Sequence, residues 1–200
     1  MTGERQPFGR RTVLKTLGIG LAVGATAVPA SASSDKLAHE LNEARKATQI
    51  YKDPGEARED GHNLISPYVP QMGFHFENEE IIKEEILDKE NDEIPITEPA
   101  ILVYYPVGEY RNEIRDQLGE GVAPIFHDDD RDDELRLGAV EYAHEPDGAG
   151  DYFHDEEASR ELQTTEEDGW APFPGGYALH VWVHRNNPDG VFAPFNRTVL

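Results

Sequence analysis

Apolar residues recur at steps of three or four positions over residues 35–51. The positions that repeat in this way are Leu37, Leu41, Ala44, Ala47 and Tyr51. This period is typical of an amphipathic helix, and Ser34 or Asp35 is available as its N-cap. A second short helix is predicted over residues 54–59, because it begins with proline and is followed by Gly61. We interpret both as helices that pack on a sheet, although a partner-binding face would show the same pattern.

Four later segments have the pattern of strands. Residues 71–76 and 135–142 alternate between apolar and polar positions, and residues 100–105 are continuously apolar between two prolines. Residues 177–184 carry the strongest signal, with β-branched and aromatic side chains throughout. The alternation in 177–184 places His180, Trp182 and His184 on one side of the strand.

A helix over residues 79–90, capped by Asn78, separates the first two strands. Residues 109–134 and 145–176 are rich in acidic residues, glycine and proline and are predicted to be long loops. The order of elements predicts an α+β domain, with N-terminal helices packed on a mostly antiparallel sheet of about four to five strands and with long acidic loops.

The first 32 residues have the features of an export signal. Arg10 and Arg11 precede an apolar stretch over residues 17–28, which ends in Pro-Ala-Ser-Ala. This resembles a twin-arginine signal with a cleavage site after Ala32. The stretch is too short to span a bilayer core of about 30 Å, although an uncleaved anchor is the alternative. We therefore divide the chain into a signal (1–32), a lead-in helix (33–46) and one domain (47–200), and expect an extracellular or cell-surface location with no stable membrane span after cleavage.

The charge of the chain indicates where the protein works. The 200 residues include 40 acidic and 18 basic side chains, for a net charge of −22. The signal holds one acidic and four basic residues, so the mature chain carries −25. The acids are spread over every segment, which favours adaptation to high salt over a dedicated ion site. Such a surface excludes nucleic acid as a partner, and the lack of cysteine excludes disulfides, thiolate zinc sites and iron–sulfur clusters.

Three polar residues stand among apolar neighbours on predicted strands: His75, Glu141 and His180. If these strands are neighbours in the sheet, two imidazoles and one carboxylate converge and could bind one divalent transition metal ion, such as non-haem iron, zinc or manganese. The alternative is a polar cluster of the core, paired internally. His180 and His184 alone would lie roughly 13 Å apart on a strand, too far to chelate together.

Other motifs add little to this picture. The acidic run at 128–134 lacks the glycine and glutamate of an EF-hand loop and is interpreted as a solvated surface segment. Neither a serine-hydrolase elbow nor a nucleotide-binding glycine loop is present. Asn196 begins a glycosylation sequon.

Several segments together are similar to a family of uncharacterised exported proteins of bacteria and haloarchaea. The segments are residues 47–61, 72–78 (with the motif MGFHF), 102–106, 140–142 (VEY) and 179–196 (LHVWVHRNNPDGVFAPFN). The resemblance covers nearly all of the mature chain. It implies a common fold unit and an exported location, and it supplies no activity.

The same resemblance includes His75, Glu141 and His180 among its motif positions. The sequence thus indicates an exported, salt-adapted acidic protein. It does not identify a biochemical role, and this cluster is the candidate site for a small ligand or a metal ion. A metal-dependent hydrolase or oxygenase is the first alternative, with Tyr142 or His184 as acid/base candidates and Trp182 as a further site candidate. A non-catalytic cell-surface structural protein is the second alternative.

Overall fold

The computed structural model describes residues 30–87, 95–122, 125–144, 170–173 and 176–200. The α-helices are α1 (Ala30–Ala47), α2 (Pro54–Glu59), α3 (Glu79–Leu87) and α4 (Gly108–Gly119). The strands are β1 (His62–Leu64), β2 (Phe74–Asn78), β3 (Ile101–Pro106), β4 (Leu135–His144), β5 (Trp170–Phe173) and β6 (Gly176–Val181). Two 3₁₀ helices cover Ile50–Lys52 and Asp129–Glu134.

The six strands form one sheet in the order β1-β2-β3-β4-β6-β5, and all neighbouring strands are antiparallel. The predicted α+β class with an antiparallel sheet is confirmed. The sheet has more strands than the expected four to five because the short strands β1 and β5 had no separate sequence signal.

One face of the sheet carries most of the hydrophobic core, and we call it the main face. Its large buried side chains are Phe74, Phe76, Tyr104, Tyr142 and Leu179. Burial of a side chain of this size contributes roughly 1.5–3 kcal/mol to the free energy of folding. Buried side chains of α1, α2 and α4 cover it, among them Ala44, Ala57 and Ile114. The helices therefore pack on the sheet, as predicted.

The opposite face, which we call the second face, carries a smaller core. Its buried members on the strands are small or β-branched: Ile101, Val103, Ala139, Ala143 and Ala178. Ile81 and Ile82 of α3 pack against them. As predicted, Asn78 caps α3, since its side-chain oxygen accepts hydrogen bonds from the backbone N–H groups of Glu80 and Ile81.

The prediction of a loop over residues 109–134 was wrong. Helix α4 occupies its first half, and buried Tyr110 and Ile114 face the core at helical spacing. The second half contains the 3₁₀ helix Asp129–Glu134, capped by the side chain of Asp128. Of the second predicted loop, only β5 and Gly176 are described, and residues 145–169 and 174–175 lie outside the described residues.

The predicted strand over 177–184 is shorter than expected. Strand β6 ends at Val181, and the N–H groups of His184 and Arg185 then both donate to the carbonyl of Gly138 at 3.1 Å. The chain therefore leaves the sheet before His184. Most of the predicted export signal lies outside the described residues, and no described helix is long and apolar enough to cross a membrane.

Gly73, immediately before β2, allows a close approach of two backbones. It has φ of +135°, and an added Cβ would lie 2.2 Å from the carbonyl oxygen of Tyr104. We expect Gly73→Ala to lower the free energy of unfolding by about 2–4 kcal/mol, because the change combines backbone strain with a clash against main chain. Urea denaturation at fixed salt measures this loss.

Gly119→Ala is the matched control. Gly119 lies at the end of α4 with nothing within 4 Å of an added Cβ. Its substitution should leave stability unchanged or raise it by up to about 1 kcal/mol. Equal effects of the two substitutions would contradict the assignment of the Gly73 contact.

Candidate metal centre

Three strands position the predicted cluster on the second face. Glu141 of β4 is the direct partner of His180 on β6. His75 of β2 is paired with Val103 of β3, and Val103 is paired with Ala139 of β4, which lies two residues before Glu141. Because side chains alternate along a strand, Ala139 and Glu141 point to the same side, and the three polar side chains meet there.

The three side chains are in contact through one carboxylate oxygen. Nδ1 of His180 lies 2.5 Å from Oε1 of Glu141, and Nε2 of His75 lies 3.4 Å from the same oxygen. One candidate ligand atom from each residue lies within 4.8 Å of the others. The cluster is buried: His75 is 8% exposed, Glu141 is 3% exposed and His180 is 0% exposed.

Hydrogen bonds satisfy only part of this cluster. Nδ1 of His75 lies 3.0 Å from the hydroxyl of Ser66, which also accepts a bond from the backbone N–H of His75. Nδ1 of His180 has only its 2.5 Å contact with Glu141, and Nε2 of His180 has no hydrogen-bonding partner within the described residues. A buried imidazole nitrogen without a partner is unusual in a folded protein.

Electrostatics keeps the carboxylate charged. Burial alone would raise the pKa of Glu141, but His180 and then His75 outweigh burial and hold this pKa well below its ordinary value. Glu141 is therefore ionised at neutral pH. An ionised carboxylate beside two imidazoles is the protonation state in which these groups can bind a metal ion.

Glu77 is a further carboxylate on the second face that the sequence reasoning missed. It lies two residues after His75 on β2 and is paired with Ile101 of β3. Ile101 is paired on its other edge with Glu141 of β4. Burial, Glu79 and Glu141 raise the pKa of Glu77. The alternation after His75 was the signal that could have identified it.

The other predicted candidates lie apart from the cluster or beside it. Tyr142 points to the main face, where its hydroxyl donates to the carbonyl of Ile96 at 2.5 Å. His184 contacts Thr48, with 2.7 Å between Nε2 and the hydroxyl oxygen. Only Trp182 adjoins the cluster, with its ring 5.5 Å from that of His180 and its indole N–H bonded to Ala193. The structure thus brings His75, Glu141 and His180 together without either acid/base candidate.

Asn196, the first residue of the sequon, is fully buried. Its amide donates to the carbonyl of Asn186, and its side-chain oxygen accepts from the backbone N–H and the hydroxyl of Thr198. The folded chain therefore uses this side chain to hold the C-terminal segment and does not present it to solvent.

A second group of possible metal ligands, His127, Asp129 and Asp132, was not expected from the sequence. Arg58 already occupies it: its guanidinium pairs with Asp132 and lies 2.8 Å from Asp129. Both nitrogens of His127 are also engaged, by Asp132 and by the hydroxyl of Tyr110. Because a cation is present and the imidazole has partners, this group is complete as an ion-pair network.

Comparisons of this chain with protein-family models, with curated proteins and with solved structures gave no match. The interpretation of the cluster therefore rests on its own geometry and chemistry.

Glu141→Gln tests the electrostatic role of the carboxylate. The substitution removes the charge that interacts with both imidazoles, and we expect unfolding free energy at pH 7 to fall by about 3 kcal/mol. Since the folded-state pKa of Glu141 is depressed, its contribution is present above the ordinary glutamate value and is lost as the pH falls through the folded value. The unfolding free energies of the wild type and of Glu141→Gln, measured by denaturation, should therefore converge in acid.

The exposed residue Glu59 provides the control for this substitution. Glu59→Gln should change stability by no more than about 0.5 kcal/mol. A pH-independent difference between wild type and Glu141→Gln would show that packing and not charge accounts for the loss.

Proposed function

We propose that this protein binds one divalent transition metal ion through His75, Glu141 and His180. The observation that carries the proposal is the convergence of two buried imidazoles on one buried, ionised carboxylate, with Nε2 of His180 left without a partner within the described chain. A polar cluster that serves only the core would be expected to provide a hydrogen bond for this nitrogen.

The donor atoms and their spacing suit zinc, non-haem iron or manganese. Nitrogen and oxygen ligands bind these ions at about 2.0–2.2 Å, which puts neighbouring ligands roughly 3–3.4 Å apart. The 3.4 Å between His75 and Glu141 already meets this spacing. The 2.5 Å contact between His180 and Glu141 must open by roughly half an ångström as the ion enters between them.

Ser66 would orient His75 as a ligand through a hydrogen bond to its other ring nitrogen. Binding of the ion by Nε2 leaves the proton of His75 on Nδ1, which then donates to the Ser66 hydroxyl at 3.0 Å. Metal-binding histidines usually donate their other N–H in this way, which fixes the tautomer and the ring orientation. The geometry around His75 is therefore that of a positioned ligand.

Burial favours binding over catalysis. Three protein ligands leave a coordination position open, as in catalytic zinc sites, and this feature alone favours a metal-dependent hydrolase or oxygenase. Against it, the three ligands are nearly inaccessible, and none of them lines either described cavity. A bound ion would thus join β2, β4 and β6 and stabilise the sheet, consistent with a non-catalytic role.

Metal titration of the chelator-treated protein tests the proposal. We expect one equivalent of Zn²⁺ or Co²⁺ to bind, and unfolding free energy to rise by about 2.7 kcal/mol when free metal is a hundredfold above the dissociation constant. Calorimetry gives the stoichiometry and chemical denaturation gives the stabilisation. Binding of less than about a tenth of an equivalent, with no change in stability, would refute metal binding.

Three variants locate the ion. His180→Gln should abolish binding, and His39→Gln, at an exposed histidine of α1, should not affect it. His127→Gln separates the two groups of possible ligands, because it disables the network around Arg58 and leaves the cluster intact. Loss of binding in His127→Gln with retention in His180→Gln would place the ion at the wrong site for this proposal.

We further propose that the protein is exported by the twin-arginine route and works in a saline exterior. The supporting observations are Arg10-Arg11, the apolar segment before Ala32, the resemblance to exported proteins and the charge of −25 for the mature chain. At molar salt the Debye length is about 3 Å, so the repulsion among these charges is largely screened.

Expression with a twin-arginine transporter tests the location. Replacement of both Arg10 and Arg11 by lysine should keep the protein inside the cell, and mass spectrometry of the exported form should place its N-terminus at Ser33. Export of the lysine variant at the wild-type level would overturn the assignment of the route. Lys15→Arg, which keeps the charge outside the arginine pair, is the control.

A further inference from the structure

A cavity of about 380 Å³ lies where the chain leaves β6, close to the C-terminal end of α1. Its lining includes Arg45, His184 and Arg185, together with Trp182 and Asn186. Among the residues that the structure describes, no acidic residue lines it, although the chain has 40 acidic and only 18 basic residues. The cavity is therefore a local concentration of positive charge on a strongly negative protein.

The two guanidinium groups are held in place and still have free donors. Arg45 uses Nε to donate to the carbonyl of Val183. Arg185 stacks on the Tyr105 ring at 4.2 Å and donates from Nε and Nη2 to Thr198. Among the described residues neither arginine has a carboxylate partner, so terminal N–H groups remain available for a ligand.

The state of His184 follows from its hydrogen bonds. The Thr48 hydroxyl donates its proton to the carbonyl of Ala44 at 2.7 Å, so it accepts from Nε2–H of His184. Burial, Lys52 and Arg45 lower the pKa of His184 to about 4. His184 is thus neutral at pH 7, and its lowered pKa reflects in part the positive charges of Lys52 and Arg45 nearby.

Helix stabilisation explains only part of this arrangement. Arg45 and Lys46 in the last turn of α1 interact favourably with the helix C-terminus. That role accounts for basic side chains on α1. It does not account for Arg185, which comes from the segment after β6, or for a cavity that both arginines line without a described carboxylate.

We propose that this cavity binds the carboxylate or phosphate group of a small anionic solute, held by Arg45 and Arg185. The planar donor fork of arginine matches the oxygens of either group. Short-range contacts of this kind persist at high salt, whereas the long-range repulsion between the acidic protein and an anion is screened. The proposal is independent of the metal centre.

NMR of the ¹⁵N-labelled full chain tests the proposal with inorganic phosphate and with acetate at constant ionic strength. Trp170→Phe leaves Trp182 as the only indole, and its N–H signal should shift along a saturable curve with a millimolar dissociation constant. At saturation the negative charge should raise the pKa of His184 by about one unit. Saturation by phosphate alone or acetate alone identifies which group the site takes.

Charge-matched variants give the site its control. Arg45→Gln should weaken binding at least about tenfold, because it removes one donor fork. Arg115→Gln removes the same charge from an exposed position on α4 and should have no effect. If Arg45→Gln does not fold, Arg185→Gln takes its place. An unchanged Trp182 signal with both anions, or equal binding by the arginine variant and the wild type, would overturn the proposal.

Discussion

The ionised carboxylate of Glu141 inside the sheet is the constraint on which the site depends. A buried charge is costly unless partners compensate it, and the only partners in contact with it are the imidazoles of His75 and His180 within the described chain. Both come from other strands, so the charge is compensated only when β2, β4 and β6 have their native register. Strand register and the protonation state of Glu141 are therefore coupled.

The division of the sheet into two faces makes this arrangement possible. The main face takes the large aromatic side chains and is covered by α1, α2 and α4. The second face has small side chains at positions such as Ala139 and Ala178, which leave room for the polar cluster. Most of the large buried side chains are therefore on the main face, and the polar cluster lies on the face with the smaller core.

The sequence predicted those features that depend on local alternation and failed where the outcome depended on distant partners. His75, Glu141 and His180 could be found because each is a polar residue between apolar neighbours. Helix α4 was missed because its surface is charged and only Tyr110 and Ile114 mark its buried side. Nor could alternation reveal that the chain turns away after Val181, since hydrogen bonds to Gly138 decide this.

The same reasoning explains why the acidic run was interpreted as solvated surface. Asp129 and Asp132 are near one another in sequence, but Arg58, which pairs with both, is about 70 positions away. Arg58 in turn lies over the Phe76 ring, whose neighbour His75 belongs to the candidate metal centre. One of the few basic residues thus neutralises a carboxylate cluster on the main-face side. On the second face, Glu141 is in contact with two imidazoles and, within the described residues, with no arginine or lysine. The position of a single arginine thus separates the two groups: the acidic run already has a cationic partner, whereas Glu141 is compensated by imidazoles, which are themselves metal ligands.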